Sequence, residues 1–459
     1  MSQDGLARAQ QVMTDAGVNA TAIQVFSHYY GELEEGATGV IREDSIRPLT
    51  EPPSLEGMQV TDEQAREALS RTVVIKLNGG LGTSMGMTRA KSLLPVRDGK
   101  SFLDIVVQQV LAARQRYDVR LPLLLMDSFN TREDTLAALA AYPELAVEDL
   151  PLDFLQSQEP KLRTDDLTPV RWPADPKLEW CPPGHGDLYP SLLSSGILES
   201  LLDKGFRYAT VSNGDNLGAA PDARLAGWFA ASGAPYAAEV CRRTAMDRKG
   251  GHLAIRVDDG QLILRETAQT APEEMDHFTD EHRHAYFHTN NLWLDLERLH
   301  ALLVERDGVL GLPLIRNVKT VDPKDPSSPE VYQIESAMGA AVAVFQGAQA
   351  VEVPRSRFLP VKTTNELMLL RSDVYELRED GTLHLLVDKA PVVCLDGHFA
   401  KIADFEQRVP GDVPSLREAT RLAVAGDWTF GDRVVVKGEV SLADEGEPRR
   451  VEDGTVLQG

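Results

Sequence analysis

Short apolar runs alternating with amphipathic stretches mark the chain from Thr72 onward. The runs TVVIKL (72–77), LPLLLM (121–126) and YATVSN (208–213) have the length and the aliphatic or β-branched content of buried strands. Between them lie SFLDIVVQQVLAAR (101–114), opened by Ser101 as an N-cap, and SSGILESLLDKG (194–205), both with apolar residues at helical spacing. That alternation predicts an α/β core on a mainly parallel sheet. At HLAIRVDDGQLILRE (252–266) the Asp259-Gly260 pair separates two β-type runs, which predicts an inserted antiparallel hairpin.

The two ends have other textures. Residues 1–70 read as mostly helical, with Ile23, Phe26 and Tyr30 at helical spacing, and lead through a connection rich in proline at Pro48, Pro52 and Pro53. Beyond residue 375 the runs shorten: GDWTFGDRVVVKGEVSLADEG (426–446) is rich in Val and cut by Gly and Asp, a texture that resembles coils of a β-helix. The expected division is a helical segment at 1–70, an α/β core at 71–375 and a small β domain at 376–459.

Composition narrows the partners. A net charge of −23, with no basic block interleaved with aromatics to offset it, argues against nucleic acid. A small anion remains admissible, because a few cations and backbone N–H groups can make a positive pocket inside an acidic envelope. Cys181, Cys241 and Cys394 are far apart and form no CxxC pair, which suggests neither a disulfide framework nor a zinc knuckle and fits a reducing compartment. The polar start and the lack of any run near eighteen apolar residues lead to an expected cytoplasmic location, with no membrane partner.

Candidate chemistry begins at KLNGGLGTSMG (76–86), four glycines directly after the first strand. No glycine there is followed by Lys-Ser or Lys-Thr at the P-loop offset, and in the dinucleotide pattern Gly80 and Gly82 are followed by a third glycine one residue late, at Gly86. Gly82-Thr-Ser-Met-Gly86 matches GxSxG, but a nucleophile elbow needs its serine on a sharp turn directly after the strand, and Ser84 lies seven residues beyond Leu77. What remains is a loop whose backbone N–H groups can approach a phosphate closely; glycines serving a tight surface turn are the plainer alternative. Lys91, just downstream, would supply a point charge beside such a loop, or be a solvated lysine.

Further segments carry a resemblance. KLNGGLGTSMG with AKS (90–92), MDSFNT (126–131), QSQEP (156–160), PPGHGDLYPSLLSSG (182–196), VSNGDNLGA (211–219), YFHTNNLW (286–293) and VPRSRFLPVKTTNEL (353–367) occur in the order of one family. Over roughly residues 70–375 the sequence resembles the UTP–glucose-1-phosphate uridylyltransferases, or UDP-glucose pyrophosphorylases, of the kind typical of eukaryotes. The resemblance extends to the helical N-terminus and to the C-terminal texture, which in the family is a left-handed β-helix. It implies a Rossmann-like nucleotidyltransferase core and the conversion of UTP and glucose 1-phosphate to UDP-glucose and pyrophosphate, with Mg²⁺.

Roles follow from the same resemblance. Leu77, Asn78, Gly79, Gly80 and Gly82 would form the nucleotide loop. Gln156 would read uracil through its amide, which offers a donor and an acceptor, with Gly184 meeting the uracil edge by its backbone and His185 the product's phosphate. Asp215, at the end of a predicted strand, would be the magnesium ligand, although an Asx turn explains the residue equally well from sequence alone; Asn213 would lie near the sugar or phosphate. Gly251, Glu266 and Asn290 would face the hexose, while His288 departs from the family, which more often has Asn there. Lys91 and Lys362 would offset anionic charge during an in-line transfer that needs no general base, and Arg355 and Arg357 would serve local ion pairs. A broader UDP-sugar or UDP-N-acetylhexosamine pyrophosphorylase, an inactive UDP-sugar sensor and a serine hydrolase acting through Ser84 are the competing readings. Homo-oligomerisation through the C-terminal domain is a further expectation.

Overall fold

The computed structural model describes residues 3–244, 247 and 250–459. Ten strands form its central sheet: β1 Ile46–Pro48, β2 Thr72–Asn78, β3 Leu123–Asp127, β4 Asp153–Leu155, β5 Tyr208–Asn213, β6 Tyr236–Arg242, β7 His252–Arg256, β8 Leu262–Arg265, β9 Tyr286–Asp295 and β10 Gln349–Glu352. The order is β1-β7-β9-β5-β2-β3-β4, with β8 on β7, β6 on β9 and β10 on β6. The run β5-β2-β3-β4 is parallel, and only β1, β8 and β9 oppose the other strands, so the sheet is mixed but mainly parallel.

β2 and β3 read as unbroken apolar runs because both of their faces are covered. Val73 and Ile75 join one core with Leu124, Met126 and the helix Leu188–Ser194; Val74 joins the other with Leu123, Leu125 and the helix Phe102–Tyr117. That helix starts where expected: the Ser101 hydroxyl accepts from the Asp104 N–H while the Asp104 carboxylate accepts from the Ser101 N–H, a reciprocal cap. The stretch expected as one helix at 194–205 is interrupted at Gly196, whose φ of +72° ends one short helix before Ile197–Asp203 begins.

The hairpin at 252–266 forms as β7 and β8, with Gly260 at φ +73° in its turn. It is not a free-standing insertion. β7 pairs with β1 on one side and meets β9 at His252 and Phe287, so the hairpin belongs to the central sheet. Near the N-terminus, the helices Gln3–Asp15 and Ala20–Glu34 bury Phe26 and Tyr30, but the connection after them contributes β1, a three-residue strand ending in proline that shows no period in sequence.

At the C-terminus, β11 Val392–Leu395, β12 Ser415–Val424, β13 Val435–Leu442 and β14 Val456–Gln458 make a parallel sheet, and Trp428–Phe430 and Arg449–Val451 make a separate parallel pair. Leu416, Leu422, Phe430, Val434, Val436 and Val451 are buried between them.

Candidate active site

β2 and β5 end side by side, with Leu77 opposite Asn213, and beyond their carboxyl ends opens a cavity of about 480 Å³. Open α/β sheets bind ligands at this position because the loops leaving parallel strands diverge there. A larger hollow of about 730 Å³ lies between residues 95–99 and the C-terminal sheet, remote from the glycine loop.

The loop is built by its glycines. Gly82 and Gly86, at φ +67° and +76°, flank a single 3₁₀ turn Thr83–Met85, and the Lys91 N–H donates to the Gly80 carbonyl at 3.0 Å, folding the chain back on itself. At Gly79 a β-carbon would stand 3.0 Å from the Gln156 amide, so the strand end and the uracil-reading candidate are in close approach. The Asn78 side chain is engaged elsewhere: its Nδ2 donates to Asp127 Oδ1 at 2.6 Å and Thr135 Oγ1 at 2.9 Å. Burial pushes the Asp127 carboxyl up to about 6. Ser84 sits in the 3₁₀ turn rather than on a strand-to-helix elbow, which removes the geometry of a hydrolase nucleophile. Ser84→Ala is therefore expected to keep turnover within about twofold of the parent, with no labelling by a serine-directed probe in either protein.

Lys91 Nζ donates to Asp215 Oδ2 at 2.5 Å and to the Val361 carbonyl. The two residues assigned separately to phosphate and magnesium thus form one ion pair, with side chains 17 % and 18 % exposed. Lys362, the next residue, is exposed; burial holds the Glu266 carboxyl above its usual range, and the Lys362 charge acts against that rise.

Across the cavity, Gly184 has φ +78°, and a β-carbon there would lie 2.6 Å from the Ser336 carbonyl oxygen. His185 Nδ1 accepts from the Met338 N–H at 2.9 Å, which puts the ring proton on Nε2. Burial pulls this imidazole down to about 4, so a neutral ring faces the site.

Leu77, Asn78, Gly79, Gly80, Gly82, Lys91, Gln156, Gly184, His185, Asn213 and Asp215 all line the cavity; Gly251, Glu266, Asn290 and Lys362 do not. Contacts nevertheless connect three of these to it or to one another. Asn290, left-handed at φ +63°, donates from Nδ2 to Asn213 Oδ1 at 2.9 Å, and a β-carbon on Gly251 would stand 2.5 Å from the Glu266 carboxylate. The Gly251 carbonyl accepts from the His288 N–H at 2.8 Å. Lys249, beside the two glycines read as a sugar contact, lies outside the described residues.

Sequence reasoning missed the support beneath these groups. Glu239 is fully buried in β6, where Arg357 donates to both of its oxygens at 2.7 and 2.8 Å, Trp293 Nε1 donates at 3.0 Å and Asn291 Nδ2 at 3.1 Å. The Arg357 carbonyl in turn accepts from Asn216 Nδ2 at 3.1 Å, one residue after Asp215. Lys76, 1 % exposed, donates to Ser212 Oγ and the Ala219 carbonyl, both at 2.8 Å, and burial lowers its pKa to about 7. The available signal was a single charge inside an apolar strand, Glu239 in YAAEVC and Lys76 in TVVIKL. Arg355 and Arg357 do form ion pairs, but with distant partners rather than local ones: Arg355 with Asp247, 108 positions away, and Arg357 with Glu239.

Among the described residues no cluster of three or more His, Cys, Asp or Glu could cage a metal. The lone Asp215 carboxylate suits only an ion shared with substrate phosphates, the arrangement magnesium commonly adopts because it keeps water and phosphate ligands.

A glycine loop at the carboxyl ends of parallel strands, facing an amide and a lysine, defines a nucleotide-binding α/β transferase. A family described as UTP–glucose-1-phosphate uridylyltransferase matches residues 23–437, and the chain belongs to that family. It is 38 % identical over 444 residues to a probable UTP–glucose-1-phosphate uridylyltransferase of Schizosaccharomyces pombe, covering 95 % of this chain and 85 % of the relative. To the enzyme of that name from Solanum tuberosum it is 39 % identical, covering 91 % and 84 %. A point mutant of UDP-glucose pyrophosphorylase from Leishmania major, solved in complex with UDP-glucose, superposes with a TM-score of 0.92 at 42 % identity over 99 % of this chain and 98 % of that one.

Proposed function

We propose that this protein transfers the uridylyl group of UTP to glucose 1-phosphate, releasing pyrophosphate and forming UDP-glucose. The observation that carries the reading is the single cavity in which the glycine loop, Gln156, His185, Lys91 and Asp215 face one another. A phosphate oxygen of glucose 1-phosphate attacks the α-phosphorus of UTP in line, the new P–O bond forms, and the bond to the β-phosphate oxygen breaks. The attacking oxygen is already anionic, so no side chain needs to remove a proton. Loop N–H groups and Lys91 offset the phosphate charge, Gln156 and Gly184 hold uracil, and Asn213, Asn290, Glu266 and Gly251 orient the hexose, with Lys362 at the rim as the second cation.

Magnesium belongs to the same proposal: Asp215 would hold it together with substrate phosphates, and it would supply neutralisation of phosphate charge. Asp215→Asn is expected to raise the magnesium concentration giving half-maximal rate about tenfold or more. An unchanged titration would remove Asp215 from the ion's surroundings.

We also propose that the C-terminal strands are coils of a left-handed β-helix, supported by the alignment of Ser415, Val435 and Val456 across neighbouring parallel strands. Self-association through its free edge is supported by the terminal position of β14, where Val456 is 54 % exposed, and light scattering tests it. No described helix is long and apolar enough to cross a membrane. The three cysteines are unpaired, which supports a cytoplasmic location.

The deciding assay is magnesium-dependent pyrophosphate release with UTP, TTP, ATP and GTP each crossed against glucose, galactose and N-acetylglucosamine 1-phosphates. Fast turnover confined to UTP with glucose 1-phosphate is expected. Comparable rates with several sugar phosphates would redefine the hexose specificity, and UDP-glucose binding without turnover would make the protein a sensor.

A further inference from the structure

The segment Ser336–Gly339 touches both walls of the cleft. On the nucleotide side, the Ser336 carbonyl accepts from the Gly186 N–H at 2.8 Å, the Ser336 N–H donates to the Pro183 carbonyl at 3.0 Å, and the Met338 N–H donates to His185. On the hexose side, Gly339 lies against the ring of His288, close enough that a β-carbon would stand 2.7 Å from its Cε1 and 3.1 Å from its Nε2. Tyr189 and Tyr236 hold the segment from below, their hydroxyls donating to the Met338 carbonyl at 2.6 Å and the Gly339 carbonyl at 3.3 Å.

His288 passes this contact on. Its Nδ1 accepts from the Asn290 N–H at 3.1 Å, and Asn290 is a non-glycine residue held at φ +63° with its amide on Asn213. Asparagine enters the left-handed region more readily than most non-glycine residues, and these two hydrogen bonds hold Asn290 there. The ring is 8 % exposed, and its Nε2, which carries the proton, has no partner among the described residues and packs on Gly339. On its Nε2 side, steric contact rather than a hydrogen bond therefore limits the ring. Burial, with His185 nearby, lowers the imidazole to about 3, which keeps Nδ1 an acceptor.

We propose that His288 is a positioning residue that sets the hexose contact Asn290 against the nucleotide wall, with the glycine at 339 as the stop that fixes its ring. The proposal rests on the uridylyltransfer reading of this cleft. An asparagine at this position could serve the same role, because its Oδ1 could accept the N–H two residues ahead in an Asx turn.

The test is a double-mutant cycle in the full chain, with Gly339→Ala, His288→Ala and their combination, plus His288→Asn. Gly339 has no left-handed φ, so the added methyl acts only by pushing on its neighbours, His288 and Leu264. Because small misplacements of a reacting group are costly, Gly339→Ala is expected to raise KM for glucose 1-phosphate about tenfold while changing KM for UTP less than about threefold. In the His288→Ala background the same change should add less than about twofold to KM for glucose 1-phosphate, since the ring is gone and only the push on Leu264 remains. His288→Asn should stay within about threefold of the parent.

Equal effects of Gly339→Ala on both substrates, additive behaviour in the combined variant, or unchanged glucose 1-phosphate KM in His288→Ala would each overturn the proposal. Parent turnover with UTP and glucose 1-phosphate reports on the functional reading separately. Should the parent be inactive, the rise in Tm on adding UDP-glucose reads the same cycle: non-additive losses support the coupling and additive losses overturn it.

Discussion

Lys91→Ala will lower kcat by about 10²–10³-fold while leaving the fold intact, the range seen when one preorganised donor to a developing charge is removed. Among the described residues lining the cavity, Lys91 is the one lysine or arginine, and His185 across from it is neutral. On the proposed reaction two anionic substrates come together there, and without Lys91 the loop N–H dipoles, magnesium and Lys362 would be left to offset their charge. The loss has a second part. With the ammonium gone, Asp215 loses its ion-pair partner on the cavity wall, and its charge opposes the incoming phosphates wherever magnesium does not offset it. KM for UTP should therefore rise as well, and most at low magnesium. Steady-state kinetics with circular dichroism would check both points, and a Lys91→Ala enzyme within about threefold of the parent would refute the electrostatic role.

Glu239→Ala is expected to destabilise the protein by about 3–5 kcal/mol, since removing one partner of a buried ion pair leaves the other charge without compensation. Arg357, its side chain 8 % exposed, would lose both carboxylate contacts, and Trp293 and Asn291 would lose an acceptor. Burial pushes the Glu239 carboxyl up, but Arg357 and the hydrogen bonds outweigh it and hold the group below its usual range. A depressed carboxylate contributes stability above its unfolded pKa of about 4.3 and loses it as pH falls through the folded value, so the penalty of the variant should shrink in acid. Urea unfolding at neutral and acid pH measures both effects. A change under about 1 kcal/mol at neutral pH would mean that the network does not carry the cleft.

The two variants also separate what was legible in the sequence from what was not. The residues around Lys91 stood out because a glycine-rich loop after an apolar run is a local signal, readable within eleven positions. Glu239 and Arg357 are 118 positions apart, and neither has a local signature for its partner. Asp215 could be read as an Asx turn or a metal ligand; its ion pair with Lys91, 124 positions away, was in neither reading. The β7–β8 hairpin was readable from Asp259-Gly260, yet its membership of the central sheet depends on β1, too short to carry a period.

By itself the sequence determined the strand cores, the Ser101 cap, the glycine loop and the family to which its motifs point, because each is written in neighbouring residues through period, turn chemistry or spacing. Tertiary structure alone decided that Lys91 meets Asp215, that β1 pairs with β7 at the end of the sheet, and that Glu239 anchors Arg357 beneath the site. Those pairings depend on which surfaces the whole chain buries together, and residues more than a hundred positions apart find each other only once the sheet has assembled.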